Sequence, residues 1–428
     1  MSARRSTLPW PLVALFTAGY LAPYLLPTTV GRLDTGLPLT ATEAGAVGSA
    51  LLLCSAAAGF LLASRVDRVG ARRLARVGLT LAVLGYGGAA LTHTVWAVVV
   101  GALLGGFGSG TTTAVAATGI AAQRDPHRTT TVGLLAVSAL AGVVYLTVPH
   151  LGPGHGQPLA AIALTALAVW PLTARLPRRT TTRATHRERT PLPHLRAGLL
   201  LAATLPCWSL AQNALWGVSG RIGLTQAGLS ETTVGAVFAI ALGAGLLGVI
   251  GAGALGPRLG RALPIGLGTV LIAACITLSA SATDLTTFAT GEIAWNTLYP
   301  IVLSYVIGLA ASLDPKGRWA VLVGSASSLG TAAGPLTGSV LSTQVGFAAM
   351  GASLAVGLLI IAVPMTTVAM STHPGARGTA RPAPTEPAAE LRTRTPQLPQ
   401  DTWPATTHRV PGTTPGRSSE RAPATAPH

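Results

Sequence analysis

Long apolar runs separated by short polar segments divide most of this chain into a series of elements. A helix needs roughly 17–25 apolar residues to span a bilayer. Twelve runs of about this length are present, and we number them as predicted spans 1 to 12: 9–29, 44–64, 74–93, 96–121, 130–150, 156–176, 197–220, 232–254, 262–281, 286–311, 319–341 and 345–368. The pattern predicts an all-α polytopic membrane protein with 12 transmembrane helices.

Basic residues are distributed unevenly between the two sides of these spans. When the N-terminus is placed in the cytoplasm, all but two of the 29 Lys and Arg residues fall on the cytoplasmic side, and Arg32 and Arg221 remain outside. Positive charge in cytoplasmic loops sets the orientation of membrane proteins. The sequence therefore predicts a multi-pass protein of the bacterial cytoplasmic membrane with both termini in the cytoplasm.

Two segments without long apolar runs divide the chain into parts. Residues 177–196 are basic and contain proline, and we predict a cytoplasmic linker between an N-terminal six-helix bundle, 1–176, and a C-terminal one, 197–370. Residues 371–428 are rich in Pro, Thr and Arg and have few large apolar side chains. Such a composition cannot bury enough surface to offset the entropy of ordering, so we expect a disordered cytoplasmic tail.

The two halves resemble each other when one is shifted by 190 residues. Segment 39–47 (LTATEAGAV) then lies over 229–237 (LSETTVGAV), and segment 63–71 lies over 253–261 with an Arg-x-Gly in register. Each pair flanks the second span of its half. This predicts two six-helix pseudo-repeats, an arrangement of secondary transporters in which the binding site lies between the repeats near the bilayer midplane.

A charged motif occupies the turn between spans 2 and 3, and it contains Asp67, Arg68, Gly70 and Arg72. The turn resembles the signature G-x-x-x-D-R-x-G-R-R of the major facilitator superfamily. Ala63 replaces the first glycine, while the Asp-Arg-x-Gly-x-Arg-Arg core is present. The resemblance covers about residues 9–368 and implies the fold of that superfamily. It also implies that the four motif residues form a latch on the cytoplasmic face, where glycine permits a turn too tight for a side chain.

Two features depart from many members of that superfamily. Span 4 has Gly101 or Ala102 where a proton-relay arginine would stand. The stretch G-x-x-x-G-P-x-x-G, which is usual in span 5 of drug/proton antiporters, does not occur in span 5, and a similar stretch occupies 330–338 in span 11. We therefore predict a helix kink at Gly334 and Pro335, and the antiporter assignment is weakened without export being excluded.

Composition and charge exclude several other classes of protein. With 49% hydrophobic and 10% charged residues, the chain does not fit a soluble enzyme, because soluble domains carry about 25% charged residues. The net charge of +16 would suggest a nucleic-acid partner in a soluble protein, but here it follows the predicted topology, so no nucleic acid is expected. Lys316 is the only lysine and does not stand in a phosphate-binding loop. The three cysteines have no metal-ligand spacing, and we expect neither a cofactor nor a metal.

Glu292 is the acidic residue that lies clearly inside a predicted span. Trp295, Asn296 and Tyr299 follow it at i+3, i+4 and i+7, so the four share one helix face. A charged side chain inside the bilayer is costly and usually functional, and the spans offer no obvious basic partner. Glu292 is therefore our candidate for the proton carrier. Lining of the cavity, a position near the outer mouth and a structural hydrogen bond to a neighbouring helix are the alternatives.

Other predicted spans also carry polar and aromatic groups. Span 7 repeats the spacing of span 10 with an amide pair and a tryptophan, span 1 has two tyrosines, and span 4 has three consecutive threonines. Helices 1, 4, 7 and 10 line the central cavity in the superfamily that this sequence resembles. The candidates for the substrate cavity are Tyr20, Tyr24, Thr112, Gln212, Asn213, Trp216, Trp295, Asn296 and Tyr299.

These features predict a monomeric secondary transporter in the lipid bilayer that works by alternating access. We expect proton-coupled efflux of a small amphipathic organic molecule, neutral or cationic, because no arginine is embedded in the membrane that could bind a carboxylate or phosphate. Proton-coupled uptake of a sugar or similar metabolite is the alternative. A polytopic membrane enzyme or a non-transporting sensor is a further alternative, although the sequence shows no cluster of Asp, His or Cys suited to catalysis.

Overall fold

The computed structural model describes residues 9–176, 191–255, 259–314 and 316–372. These residues form helices and turns and no strand. Residues 177–190 of the predicted linker and 373–428 of the predicted tail lie outside the described residues.

The helices follow the order that the apolar runs predict. The first half contains α1 (Trp10–Tyr24), α2 (Leu26–Gly36), α3 (Ala41–Ala63), α4 (Val66–Val69), α5 (Ala71–Leu91), α6 (Val95–Ala121), α7 (Pro126–Thr147) and α8 (Gly156–Val169). The second half contains α9 (Leu195–Arg221), α10 (Glu231–Leu255), α11 (Ala262–Ala280), α12 (Leu285–Ser312) and α13 (Arg318–Ser371). We call these halves the first and the second bundle.

The described helices are consistent with twelve membrane spans. Among them, nine are long and apolar enough to cross a bilayer, or ten when α1 and α2 count as one span bent by 49°. The helix α13 is interrupted at Gly346, whose φ of 82° is not helical, so its two arms provide two spans. The remaining span is α9, which is long enough but carries more polar residues. The prediction of an all-α polytopic membrane fold is therefore confirmed.

The first span extends further than the sequence predicts. We expected it to end at residue 29, but the chain bends after Pro23 and continues as α2 to Gly36. Proline removes a backbone donor and disturbs the preceding turn, which accounts for the bend. As a result, Arg32, which we expected to lie outside the spans, is part of a helix together with Asp34.

The internal repeat is visible in the helix starts and in their capping. The helices α3 and α10 begin 190 residues apart, as do α6 and α12. Thr40 caps α3 by accepting a hydrogen bond from the backbone N–H of Glu43, and Ser230 accepts the equivalent bond from Thr233. Gly70 and its counterpart Gly260 both have a positive φ. Local sequence therefore specifies the same turns in both halves.

The two bundles pack closely along α3 with α13 and along α7 with α10. A Cβ atom at Gly45 would overlap the side chain of Ser339, and one at Gly235 would overlap the carbonyl oxygen of Tyr145. Small residues let helix backbones approach each other in a membrane, where packing rather than the hydrophobic effect holds helices together. Glycine at these two positions thus permits the contact between the bundles.

Successive spans run in opposite directions and define two faces of the molecule. We call the face where α2 and α9 end the Arg32 face, and the opposite face, with the turn between α3 and α5, the Asp67 face. Hydrogen bonds and ion pairs join the bundles at the Arg32 face. A cavity of about 1080 Å³ lies among helix ends at the Asp67 face. The structure is therefore closed at the Arg32 face.

Candidate functional site

Five aromatic side chains of the second bundle form a continuous group that we call the aromatic cluster. Trp208 stacks on Tyr299 with ring centroids 5.2 Å apart, and Tyr299 lies 6.0 Å from Trp295. Trp295 lies 5.5 Å from Trp216, which contacts Phe238 at 5.2 Å. The cluster thus joins α9, α12 and α10, and helical spacing of aromatic residues on α9 and α12 creates it.

The aromatic cluster reaches the first bundle through α1. The indole N–H of Trp216 donates a hydrogen bond of 3.1 Å to the carbonyl oxygen of Pro23. The phenol groups of Tyr20 and Tyr24 lie close enough to Tyr299 for electrostatic interaction. Of the sequence-predicted residues, the structure therefore brings Tyr20 and Tyr24 towards Tyr299 from the opposite bundle. This group is our candidate substrate site.

Two buried donors beside the cluster lack a partner among the described residues. The Oε1 atom of Gln212 accepts a hydrogen bond from the indole of Trp295, but its Nε2 atom has no described acceptor. The indole nitrogen of Trp208, one helical turn earlier, also has none. A buried donor without an acceptor costs about 1–3 kcal/mol. Two donors within this group are therefore available to an acceptor that the described residues do not supply.

Trp208 was not among the sequence-predicted candidates. It precedes Gln212 by four residues and Trp216 by eight, so all three lie on one stripe of α9. Extending the i, i+4 pattern of span 7 by one turn towards the N-terminus would have identified it.

Glu292 is fully buried inside the second bundle. Its Oε1 atom accepts hydrogen bonds from Ser279 on α11, at 2.6 Å, and from Ser219 on α9, at 2.8 Å. Its Oε2 atom has no partner among the described residues. The acid therefore connects α12 to both α9 and α11, although it shares α12 with Trp295 and Tyr299.

Three other predicted cavity residues occupy different positions. Thr112 is buried in the first bundle, where its hydroxyl donates to the carbonyl of Gly108 beside α5. Asn213 donates to the carbonyl of Ser209 and to Thr331 on α13. Asn296 donates to the backbone carbonyl of Glu292, four residues earlier in its own helix. The structure does not bring these three side chains into the aromatic cluster.

The Gly334–Pro335 step of α13 lies at the junction between the bundles. A Cβ atom at Gly334 would overlap Asn213 of α9, and Pro335 packs against Gly217 of α9 and Gly48 of α3. The backbone N–H of Leu336 donates to the hydroxyl of Ser49 on α3, at 2.9 Å. This step thus connects α13 to both bundles.

The motif residues lie at the Asp67 face. Asp67 and Arg68 are exposed on the short helix α4, and Arg72 is half-buried in the first turn of α5. Gly70 joins the two helices with a φ of 98°, a conformation that favours glycine.

Arg32 connects several segments at its face and was not among the sequence-predicted site residues. Its guanidinium group is buried and forms an ion pair of 2.7 Å with Glu231, the first residue of α10 in the second bundle. The other acceptors come from the first bundle. They are the carbonyl oxygens of Val148, Gly152 and Gly154 and the side chain of Gln157.

A second ion pair of opposite polarity lies at the same face. Arg221, the last residue of α9, lies 3.4 Å from Asp34 of α2. Each bundle therefore offers one arginine and one acid to the other. The available signal in the sequence was that Arg32 and Arg221 are the two basic residues that the predicted topology left on the sparsely charged side.

The described residues offer no group of three or more His, Cys, Asp and Glu placed to hold a metal ion. What the site offers is aromatic surface, two hydrogen-bond donors, one buried acid and ion pairs between the bundles. Such an arrangement can bind a planar or apolar body and change its contacts when the bundles move.

Comparison with solved structures identifies the same architecture in transport proteins. The human organic anion transporter MFSD10 (TETRAN) is 16% identical, with coverage of 84% of this chain and 98% of that chain and a TM-score of 0.63. A bacterial homologue of the human lysosomal transporter Spinster, in an inward-facing and unoccupied conformation, is 13% identical, with coverage of 87% and 98% and a TM-score of 0.64. A POT family transporter in complex with 5-aminolevulinic acid is 11% identical, with coverage of 86% and 98% and a TM-score of 0.70.

Sequence comparison gives the family directly. No curated protein matches this sequence significantly. The profile of the Major Facilitator Superfamily matches residues 8–320, which include both bundles up to the start of α13, and the predicted resemblance is thereby confirmed. The chain therefore belongs to the major facilitator superfamily, and its fold is that of a secondary transporter.

Proposed function

We propose that this protein exports a small amphipathic organic compound in exchange for protons. The observation that carries the proposal is that one pair of helices holds both the buried acid and the aromatic cluster. Glu292 of α12 bonds to Ser219 of α9, and Trp295 of α12 bonds to Gln212 of α9. A change at the acid therefore acts on the same helix contact that positions the aromatic residues.

The surroundings of Glu292 suit a group that gains and loses a proton. Its described partners, Ser219 and Ser279, are neutral, so protonation breaks no ion pair. A serine hydroxyl can donate or accept a hydrogen bond, and both bonds can therefore adapt to either state of the carboxyl group. Acids within membrane spans commonly serve as proton relays.

The aromatic cluster supports an amphipathic substrate. Its rings offer apolar surface, and the indole of Trp208 and the amide of Gln212 offer donors to an acceptor oxygen. Tyr20 and Tyr24 of the first bundle lie near Tyr299 of the cluster. A ligand bound there would contact both bundles, as alternating access requires.

Charge at the two faces supports the proposed orientation. We propose that the Asp67 face is cytoplasmic, because positive residues are concentrated in its turns. The two arginines of the opposite face are each paired with an acid, so they add little unbalanced charge there. We further propose that the linker and tail are cytoplasmic, that the protein works as a monomer, and that Asp67, Arg68, Gly70 and Arg72 close the Asp67 face in the opposite conformation.

Transport into everted membrane vesicles tests the proposal. The probes are 1-naphthoate, 1-naphthalenemethanol and 1-naphthylmethylamine. They share the naphthalene ring and are anionic, neutral and cationic, respectively. We expect wild-type vesicles to accumulate at least one probe when a pH gradient is imposed. Glu292→Gln should abolish this accumulation and retain probe exchange without a gradient, because glutamine preserves the shape and the acceptor for both serines.

Asp125→Asn provides a matched control, since this carboxylate caps α7 at the Asp67 face and lies outside the spans. It should accumulate the probe as the wild type does. Gradient-driven accumulation by Glu292→Gln at the wild-type rate would contradict the proton role. Failure of all three probes to accumulate would contradict the proposed substrate class.

A further inference from the structure

The cavity at the Asp67 face is lined by residues that neither the motif nor the aromatic cluster includes. It has a volume of about 1080 Å³ and lies between the ends of α9, α10, α12 and α13, beside the first turn of α7. Ligand pockets commonly have volumes of about 300–1,000 Å³, so the space is sufficient for an organic molecule. Its polar lining includes His127, His194, Arg261, Ser304 and Ser312.

The side chains that line this cavity favour negative charge in a ligand. Two histidines and one arginine belong to the lining of the cavity, and the described lining contains no Asp or Glu. The acids nearest in sequence are engaged elsewhere, because Asp125 accepts from the backbone of Arg128 and Asp314 pairs with Arg318. Three helices begin and three end around the cavity, so their dipoles oppose each other. The side chains therefore determine its charge preference.

His194 is held in a backbone conformation that needs support. Its φ of 50° makes it the one non-glycine residue with positive φ in the described part of the chain. The indole of Trp319 donates to the carbonyl of Pro193 at 2.7 Å, and Arg318 donates to that of Pro191 at 3.1 Å. Such conformations persist where the surroundings enforce them, and they cluster at binding sites. These contacts hold the backbone that precedes His194, a residue of the cavity lining.

Arg261 supplies fixed positive charge from the turn before α11. Its guanidinium donates to the hydroxyl of Ser312 at 2.5 Å, which orients it across the cavity end. A guanidinium group has five N–H donors, and those that Ser312 does not use suit the planar oxygens of a carboxylate or phosphate. This arginine reaches the cavity from a turn and not from within a span.

We propose that this cavity binds the anionic group of an amphipathic molecule, a carboxylate, phosphate or sulfate, and that it is the loading site for the exported compound. Arg261 and the ring N–H groups of the two histidines bind the anion, while Ala197, Val249 and Leu313 contact the apolar body. The proposal rests on the proposed function and names the substrate class as organic anions. An anionic lipid headgroup has the same chemistry, and the test separates the two sources.

Equilibrium binding to the full chain in phosphatidylcholine nanodiscs tests the site without any gradient. The probes are again 1-naphthoate, 1-naphthalenemethanol and 1-naphthylmethylamine, and isothermal titration gives their affinities. We expect naphthoate to bind about tenfold or more tightly than the other two, since a hydrogen bond to a charged group is worth about that factor. Arg261→Gln should remove this preference.

Two further variants control for folding and for general surface charge. His194→Asn removes the imidazole, and asparagine tolerates the left-handed backbone, so it should weaken naphthoate binding while unfolding at the wild-type temperature. Arg196→Gln removes an equal charge from the exposed side of α9, outside the cavity lining. It should leave naphthoate affinity unchanged.

Adding phosphatidylglycerol to the nanodiscs identifies the source of the anion. Competition with naphthoate that disappears in Arg261→Gln assigns the site to a lipid headgroup, which supports the anion site but overturns its role in loading the exported compound. Lack of competition assigns the site to a soluble anion and supports both. Equal affinity for the three probes would overturn the anion site, as would an equal loss in Arg196→Gln and Arg261→Gln. Because no gradient is used, this result is independent of proton coupling at Glu292.

Discussion

Replacing Glu231 with glutamine removes the ion pair from Arg32 and leaves the other four acceptors of the guanidinium in place. A hydrogen bond to a charged group contributes about 1.5–3 kcal/mol. We take the lower end, because the side chain of Glu231 is 43% exposed although that of Arg32 is 6% exposed. About 1.4 kcal/mol corresponds to a tenfold change in an equilibrium constant. We therefore expect the ratio of open to closed protein at the Arg32 face to rise about tenfold.

Distance measurement between two spin labels follows this equilibrium. Leu91 at the end of α5 and Leu285 at the start of α12 lie at the Arg32 face in different bundles, and they are 88% and 44% exposed. Each is replaced by cysteine for labelling after Cys54, Cys207 and Cys275 have been replaced by alanine. Double electron–electron resonance should show mainly the short distance in the labelled protein with Glu231 intact. After Glu231→Gln it should show a larger population at longer distance.

Exchanging the charges within each ion pair tests whether its arginine depends on the paired acid alone or also on other acceptors. Glu at position 32 would face the carbonyl oxygens that now accept from Arg32, so Arg32→Glu with Glu231→Arg should fail to restore the short distance. Arg221 has fewer described partners, and the exchange Asp34→Arg with Arg221→Asp should restore it. Recovery by the Arg32–Glu231 exchange would refute the reasoning, because it would show that the four first-bundle acceptors do not matter.

The structure supports two further predictions about packing and pH. Gly235→Ala should increase the long-distance population in the same measurement, because its Cβ would overlap the carbonyl oxygen of Tyr145, whereas Gly243→Ala on the same helix meets no atom within 4 Å and should not. A hydrogen bond from the backbone N–H of Thr287 lowers the pKa of Asp284 at the start of α12. The ionised carboxylate therefore stabilises the fold fully above the unfolded pKa of about 3.9. This stabilisation is lost as the pH falls through the lowered pKa of the folded state. Asp284→Ala should therefore lower the thermal unfolding temperature near neutral pH, with a difference from wild type that shrinks in acid.

The fold could be predicted from the apolar runs because a membrane span depends on a local property of the sequence. The length of each apolar run and the repeated turns could be read along the chain, and they reappear in helices such as α3 and α10. The helical spacing of Trp295 and Tyr299 likewise placed both in one cluster. Such features need no knowledge of which helix lies beside which.

Side-chain partners could not be predicted in the same way, because they depend on contacts between distant segments. The threonines at 111 to 113 are consecutive, and the sequence cannot say that Thr112 packs beside Gly78 of α5 while Thr113 contacts Gly19 of α1. The pairing of Arg32 with Glu231 joins residues 199 positions apart. Glu292 shows the same limit, since its serine partners come from two other helices.

If the proposed function holds, α9 is the helix that connects the proton site, the substrate site and the closed Arg32 face. The aromatic cluster uses Trp208 and Trp216, the acid bonds to Ser219, and the ion pair to the first bundle uses Arg221. A helix rises about 1.5 Å per residue, so Ser219 and Arg221 lie within one turn and cannot move independently. Protonation that alters the contact of Glu292 with Ser219 therefore bears directly on one of the two ion pairs that join the bundles at the Arg32 face. Coupling in this protein thus requires only that one helix has two positions, each favoured by a different set of these contacts.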